Sequence, residues 1–428
     1  MKVNLFKLSQ FILVLLMIVM HGAVYWSVNF QESYVALFSI ALFVLIMASW
    51  YRVGIPKWFM VYCVATAACY FWSALTNGIG LSTGLNIKTA LILDVNILTA
   101  LVAYKMDKKR ALKLYVLIVT VLAGISLAFY LTTLIIGKDA IARFFTYYSW
   151  GRGHYVNPLY SFTKDNRNYG IFYEPGVYQI VLNTALYLLL FARDQFTLSR
   201  RVYNLALVIL IVTVFTSGST TGYLNLAFIL IGVLLMKGKS KIQKRVALIC
   251  GMFIVVAAFD YIINGDNSLV NIYILDKIFE TRITSSVINY NTSGGARLYI
   301  VELALEALKS NPFFGLGANY VSEAVNAKFS LGFGTGNGFC SMIASKGLVT
   351  TIITIVPFLY MAYKNLNSGL QYSVFLLIYF NTVFAQSSFA IMCCSFALLC
   401  MIDFGETMVV ADEEYYFDVP VETPRGGY

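Results

Sequence analysis

The sequence predicts an all-α polytopic membrane protein with about 12 transmembrane helices and two large outward loops, and three observations carry that prediction. Hydrophobic residues make up 59% of 428 and charged residues only 12%, with a mean hydropathy of +0.73, which excludes an ordinary soluble globule. Apolar runs of roughly 20 residues, the length that crosses a hydrocarbon core, recur along the chain. Basic residues gather in alternate short connections between those runs, as the positive-inside rule requires.

The runs place helices near 6–28, 33–51, 55–76, 87–105, 111–136, 170–192, 202–217, 221–236, 246–264, 339–363, 370–386 and 388–404. The first ends on bulky Tyr25 and Trp26 without a small-residue cleavage site, so it reads as a retained helix and not a removed signal peptide. Lys2, Lys7, Arg52, Lys57, the basic cluster at 105–113, Arg193, Arg200, Arg201, the cluster at 237–245 and Lys364 all fall on one side. The short connections on the other side hold only Lys88, which puts both termini in the cytoplasm. Residues 1–405 then form one membrane-embedded domain, and 406–428, with Asp412, Glu413 and Glu414, read as a disordered cytoplasmic tail. The net charge of +10 is explained by this topology and does not imply nucleic-acid binding. Seven cysteines fall mostly inside apolar runs, without metal-ligand spacing, and read as small core hydrophobes.

Two outward connections, 137–169 and 265–338, are far longer than the rest, and unstructured loops beyond about 15 residues are uncommon unless functional or disordered. The first carries an aromatic patch at 140–150 suited to the membrane interface. In the second, Leu298, Val301, Leu305 and Leu308 recur at helical spacing between Gly294 and Pro312, which predicts an amphipathic helix outside the membrane. Lys138, Arg143, Arg152, Lys164, Arg167, Lys277, Arg282, Arg297, Lys309 and Lys328 persist in these loops against the charge bias. Long loops are partly exempt from that bias; alternatively, the arginines bind phosphate, whose oxygens match the guanidinium fork. Within a span, Asp94 is either functional or held by a neighbouring helix.

The polar stretch 166–179 runs directly into the apolar segment 177–191. Pro175 suits a first helical turn, and Glu174 before it would sit at the positive end of the helix dipole, either as a cap or as part of an anion-handling site. There is no Walker loop, dinucleotide fingerprint or zinc spacing, and His21 and His154 lie far apart in sequence. Any reaction is therefore expected to run on arginines and a carboxylate, with neither cofactor nor metal.

Four local patterns resemble the Wzy-type polysaccharide polymerases of the O-antigen polymerase and ligase superfamily. They are Gly170-Ile-Phe-Tyr-Glu-Pro-Gly-Val-Tyr-Gln179; Ser217-Gly-Ser-Thr-Thr-Gly-Tyr223; Arg297 followed by Asn311-Pro312 and Phe314-Gly-Leu-Gly317; and Thr335-Gly-Asn-Gly-Phe339 followed by Lys346-Gly-Leu348. Where the related ligases carry a histidine before Asn337, this chain has Gly336, which weighs against a ligase.

The resemblance implies a GT-C-like, metal-independent inverting glycosyltransferase in a bacterial inner membrane, with its active site on the extracytoplasmic face. Its substrate would be an undecaprenyl-diphosphate-linked oligosaccharide, with membrane lipid and a chain-length regulator protein as further partners and no nucleic acid. Glu174 and Arg297 are the expected catalytic residues; Arg152, Arg167, Arg282, Tyr173, Tyr178 and Asn337 are the expected substrate-binding residues. The alternatives are an O-antigen ligase and a lipid-linked oligosaccharide flippase. The latter usually shows paired broken helices or internal repeats with charges at the midplane, whereas this sequence has one clear midplane acid, Asp94, and most of its polar chemistry outside the spans.

Overall fold

The structure is a computed structural model and describes residues 4–26, 34–76, 81–149, 153–236, 293–328, 337–366, 369–386 and 389–402. Arg152, Arg282, Gly336, the expected helix at 246–264 and the tail from 403 lie outside them. The described chain is mostly helical and consistent with a polytopic membrane protein. Among the described residues, three segments are long and apolar enough to cross a membrane, Ile87–Met106, Lys108–Ile136 and Gly338–Asn365, and Leu5–Val19, Tyr34–Trp50, Pro175–Phe191, Thr220–Leu235 and Gly369–Ala385 are shorter apolar helices.

The centre of the bundle is the helix Pro175–Phe191, in which every residue from Val177 to Phe191 is buried. A helix apolar on all sides can be stable only when surrounded. Here Lys108–Ile136, Arg200–Thr216, Thr220–Leu235 and Phe389–Met401 surround it. Its neighbours carry apolar faces that remain exposed, among them Val121, Ile135, Leu205 and Leu235, as expected where lipid replaces water.

Three features depart from the sequence-based expectation. The first helix does not run to residue 28. It ends at Val19, and the chain turns at His21 and Gly22 before forming an isolated antiparallel bridge between Ala23 and Phe172. The chain is also not purely helical, because Thr146–Tyr148, His154–Asn157 and Tyr160–Phe162 form a small antiparallel sheet in register Tyr147 to Tyr155 and Val156 to Ser161. Phe145, Tyr160 and Phe162 of this region pack on Phe129, while Phe144 and Tyr147 stay exposed. Finally, the helix expected in the second long loop forms, as Ser293–Ser310, but is rotated. Its buried stripe is Ile300, Leu303, Ala304 and Ala307, and Leu305 is 53% exposed. The small side chains of Ala304 and Ala307 let it lie close against Gly338–Asn365, so proximity and not residue size selected the face.

Candidate active site

The stretch before Pro175 is held by backbone contacts on three sides. Val24 N donates to Ile171 O at 2.8 Å and Tyr173 N to Gly22 O at 3.2 Å, so the break in the first helix grips residues 171–173. Ser161 N donates to Gly170 O at 2.6 Å, and its hydroxyl to Phe172 O at 2.7 Å. Asn168 N donates to Thr216 O at 2.9 Å, and Asn168 Nδ2 reaches Thr216 Oγ1 at 3.1 Å. Gly170 has φ +57° and lies under the Tyr178 ring, a place where no side chain would fit.

These contacts bring the first two sequence patterns together, because Thr216 immediately precedes Ser217 and Gly222 packs on Gln179. The other two patterns meet as well. Leu316 N donates to Ala344 O at 2.7 Å and Leu348 N to Pro312 O at 2.8 Å, so residues 312–316 dock on the break of the helix Gly338–Asn365 at Gly347. The two pairs touch through Gln386: its side chain occupies the space where Gly176 would carry a Cβ, and its carbonyl does the same at Gly338. The N-termini beginning at Pro175, Thr220 and Gly338 therefore converge, and their dipoles make this end of the bundle electropositive.

Arg167 is half-buried and paired to Asp165, whose Oδ2 accepts from Arg167 Nε at 2.8 Å and from the Tyr169 hydroxyl at 2.7 Å, while Thr163 donates to Oδ1 at 2.8 Å. Burial opposes ionisation of Asp165, but Arg167, Tyr169 and Thr163 together outweigh it and hold the carboxyl below its usual value. Burial likewise disfavours the charge on Arg167, and the opposing fields of Tyr169, Asp165 and Glu174 restore and strengthen it. Burial is also the main cause that pushes the Tyr169 phenol up to about 12. Lys138 Nζ donates to the carbonyls of Lys164 and Asp165, closing the loop on itself.

Glu174 stands at the N-cap position with extended backbone, yet its side chain makes no capping hydrogen bond. The carboxylate is exposed and lies within the field of Arg167. Asn337 does cap: its Oδ1 accepts from Cys340 N at 3.1 Å. Tyr178, expected to face substrate, is instead 1% exposed, with its hydroxyl 2.7 Å from Ser126 and its ring stacked on Phe172. It belongs to the packing because the helix it sits on is enclosed on all sides. Tyr173 is half-buried against the core. Arg297 falls on the helix Ser293–Ser310, which packs on Gly338–Asn365, and its side chain lies outside the described residues. The structure thus brings Arg167, Glu174, Tyr173 and Asn337 to one end of the bundle. Asp94 is bound by Thr66 of the adjacent helix at 3.0 Å, the structural alternative.

One constellation escaped the sequence reading. Beneath Gly176, Gln179 Oε1 accepts from Asn183 Nδ2 at 3.0 Å and Asn225 Nδ2 at 3.2 Å; Asn225 Nδ2 also reaches Thr382 Oγ1 at 3.1 Å, and its Oδ1 accepts from Asn381 at 2.7 Å. This network ties three helices together directly below the site. The available signal was Gln179, Asn183, Asn225 and Asn381, carboxamides inside apolar runs, which in lipid must find partners in the protein.

The mostly helical bundle, with polar loops clamped over converging helix N-termini, is consistent with a polytopic membrane protein. Residues 205–355, less than half of the chain, match the O-antigen ligase family. That span includes three of the four patterns, and the match supports a place in the O-antigen ligase and polymerase superfamily, whose members are glycosyltransferase-like enzymes, and a role in polysaccharide assembly at the membrane. It does not separate polymerase from ligase. A comparison with curated proteins gave no match.

Proposed function

We propose that this protein polymerises undecaprenyl-diphosphate-linked oligosaccharide repeats by inverting glycosyl transfer on the extracytoplasmic face of a bacterial inner membrane. The observation that carries this reading is the meeting of all four patterns at one electropositive end of the bundle through backbone contacts and Gln386. An acceptor hydroxyl attacks the anomeric carbon of the donor; the new carbon–oxygen bond forms as the bond to the diphosphate breaks, and the diphosphate leaves with the electron pair. Preorganised cations at that diphosphate lower the barrier, because that is where negative charge develops. Arg297 and Arg167 take this part, with Arg152 and Arg282 as further anion binders. Asp165 orients Arg167 by holding Nε and Nη2, which leaves Nη1 to the ligand. Glu174, not engaged as a cap, receives the acceptor's proton. Tyr173 offers a ring edge to sugar, and Asn337 keeps Nδ2 as a donor while Oδ1 caps its helix.

The ligase reading is the alternative, and Gly336 in the place of the ligase histidine disfavours it. Deleting the gene separates the cases. Loss of a polymerase leaves single repeats on the cell surface, loss of a ligase leaves lipid-linked polymer, and loss of a flippase traps repeats inside. Arg297→Ala is expected to abolish chain growth while the protein still inserts; chains of normal length in that variant would remove Arg297 from the mechanism.

A further inference from the structure

The helix Ser293–Ser310 has three sides, each with its own chemistry. On the first, Ile300 and Ala304 join a buried cluster with Ile343 and Ala344 of the helix Gly338–Asn365. The second meets the helix Ala318–Lys328 through polar groups: the Tyr320 hydroxyl donates to Glu306 Oε1 at 3.2 Å, and Lys328 Nζ lies 3.9 Å from both Glu302 Oε2 and the centroid of the Tyr299 ring. The third carries Val301, Leu305 and Leu308, which at about 100° per residue fall within about 60° of one another around the axis. Leu305 is exposed, and Val301 and Leu308 are half-buried beside it. A helix with one side on protein, one polar side and one open apolar side suits a boundary between water and lipid.

Depth points the same way. Lys364, the basic residue near the end of Gly338–Asn365, marks one edge of a hydrocarbon core. From Leu348 to Lys364 this helix rises roughly 25 Å, so Ile343 and Ala344, beyond the break at Gly347, stand near the opposite edge of a core about 30 Å thick. The neighbouring helix Lys57–Thr76 exposes Val61, Val64 and Phe71 on one face and ends that face in Trp72, a residue type favoured at membrane interfaces. The Trp72 ring lies 6.0 Å from Phe314, and Phe314 lies 6.4 Å from Phe313, which is 60% exposed just past the end of Ser293–Ser310. Exposed apolar surface thus continues from that face to the open side. A stable protein partner would need about 800 Å² on each chain, far more than one stripe of a few side chains offers. We propose that Ser293–Ser310 lies in the plane of the bilayer surface on the side of the candidate site, with Val301, Leu305, Leu308 and Phe313 seated on the acyl chains of bulk membrane lipid. This contact holds the helix that bears Arg297 at headgroup height, and it does not depend on the polymerase reading.

Two measurements on the full chain in phosphatidylcholine nanodiscs test it. In the first, the unaltered protein is treated with water-borne hydroxyl radicals and oxidation is read by peptide mass spectrometry, corrected for the intrinsic reactivity of each ring. Phe313 and Tyr320 are both exposed in the fold, but Tyr320 lies on the polar side, so Tyr320 should be oxidised and Phe313 should lose its oxidation to the lipid. In the second, a photoreactive benzoylphenylalanine replaces Leu305 and, in a separate variant, Glu306. Its adduct at 305 should be phosphatidylcholine, and at 306 that adduct should be lost. Oxidation of Phe313 to the extent of Tyr320, equal lipid labelling at 305 and 306, or a cross-link from 305 to a second copy or to residues 237–292 in place of lipid would overturn the assignment. The oxidation pattern is read without any substitution, so it decides even if a variant fails to fold.

Discussion

Replacing Gly347 with alanine should disable the protein by detaching residues 312–316 from the helix break. Gly347 has φ 76° and ψ 178°, a region open essentially to glycine alone, and holding another residue there costs about 1–3 kcal/mol. The added Cβ would also overlap the backbone of Phe313 and Phe314, which cannot rotate away as a side-chain tip could. Relief requires residues 312–316 to lift, which breaks the bonds Leu316 N to Ala344 O and Leu348 N to Pro312 O, each worth about 0.5–1.5 kcal/mol net. Together these terms come to roughly 2–6 kcal/mol. The low end detaches the loop, and the high end unfolds the variant. Thermal unfolding of the purified protein and surface-glycan chain length, measured side by side, give the two readouts. A variant that melts with the wild type and makes wild-type chains would refute the docking of 312–316 on this break.

Gly124 makes the opposite prediction. It lies inside the helix Lys108–Ile136, and an added Cβ would meet only Ile209 Cδ1 at 3.8 Å, so Gly124→Ala should stabilise by about 1 kcal/mol in the same melt. Asn225→Ala removes three hydrogen bonds at about 0.6 kcal/mol each in a membrane setting, a loss near 2 kcal/mol; coupling to Gln179→Ala in a double-mutant cycle would show that they share one network. Asp165 sets an acid limit. Its folded-state carboxyl lies below the ordinary aspartate value of about 3.9, so its contribution is complete at neutral pH and is lost only as pH falls through that lower value. Asp165→Asn should therefore lower stability at pH 7 by about 1–2 kcal/mol, discounted for its partial exposure, and flatten the acid-side fall seen in unfolding curves from pH 7 to 3.

The sequence located helices well and faces poorly, for one physical reason. A run such as 175–191 announces its length through composition, but in a chain meant for lipid both the protein-facing and the lipid-facing sides are apolar, so periodicity fades. The helix Ser293–Ser310 shows the same failure: Leu305 looked like a core residue and is exposed, while Ala304 and Ala307 carry the contact. The break at His21 was hidden because Met20, Ala23 and Val24 on either side are apolar. Only Gly22, with φ 91°, marked it. His21 itself is buried where the helix ends, with Nδ1 2.9 Å from Met17 O and Nε2 2.8 Å from Ser395 Oγ, which in turn lies 2.9 Å from the Tyr115 hydroxyl.

That chain of contacts bears on the candidate site, because Gly22, beside His21, is the residue whose carbonyl holds Tyr173 next to Glu174. Side-chain chemistry alone could not reveal the link, since its last step is a backbone hydrogen bond. The same holds for the docking of 312–316 at Gly347 and for the grip of Thr216 on Asn168. Motifs of this kind leave glycines and short polar residues as their trace, because what they specify is a close backbone approach. Their order in the sequence therefore says that the segments exist, and only their meeting in space says what they enclose. Charge in the site follows the same logic: Arg167 is visible in the sequence as a cation, but only the fold shows that Asp165, two residues earlier, engages its Nε and Nη2.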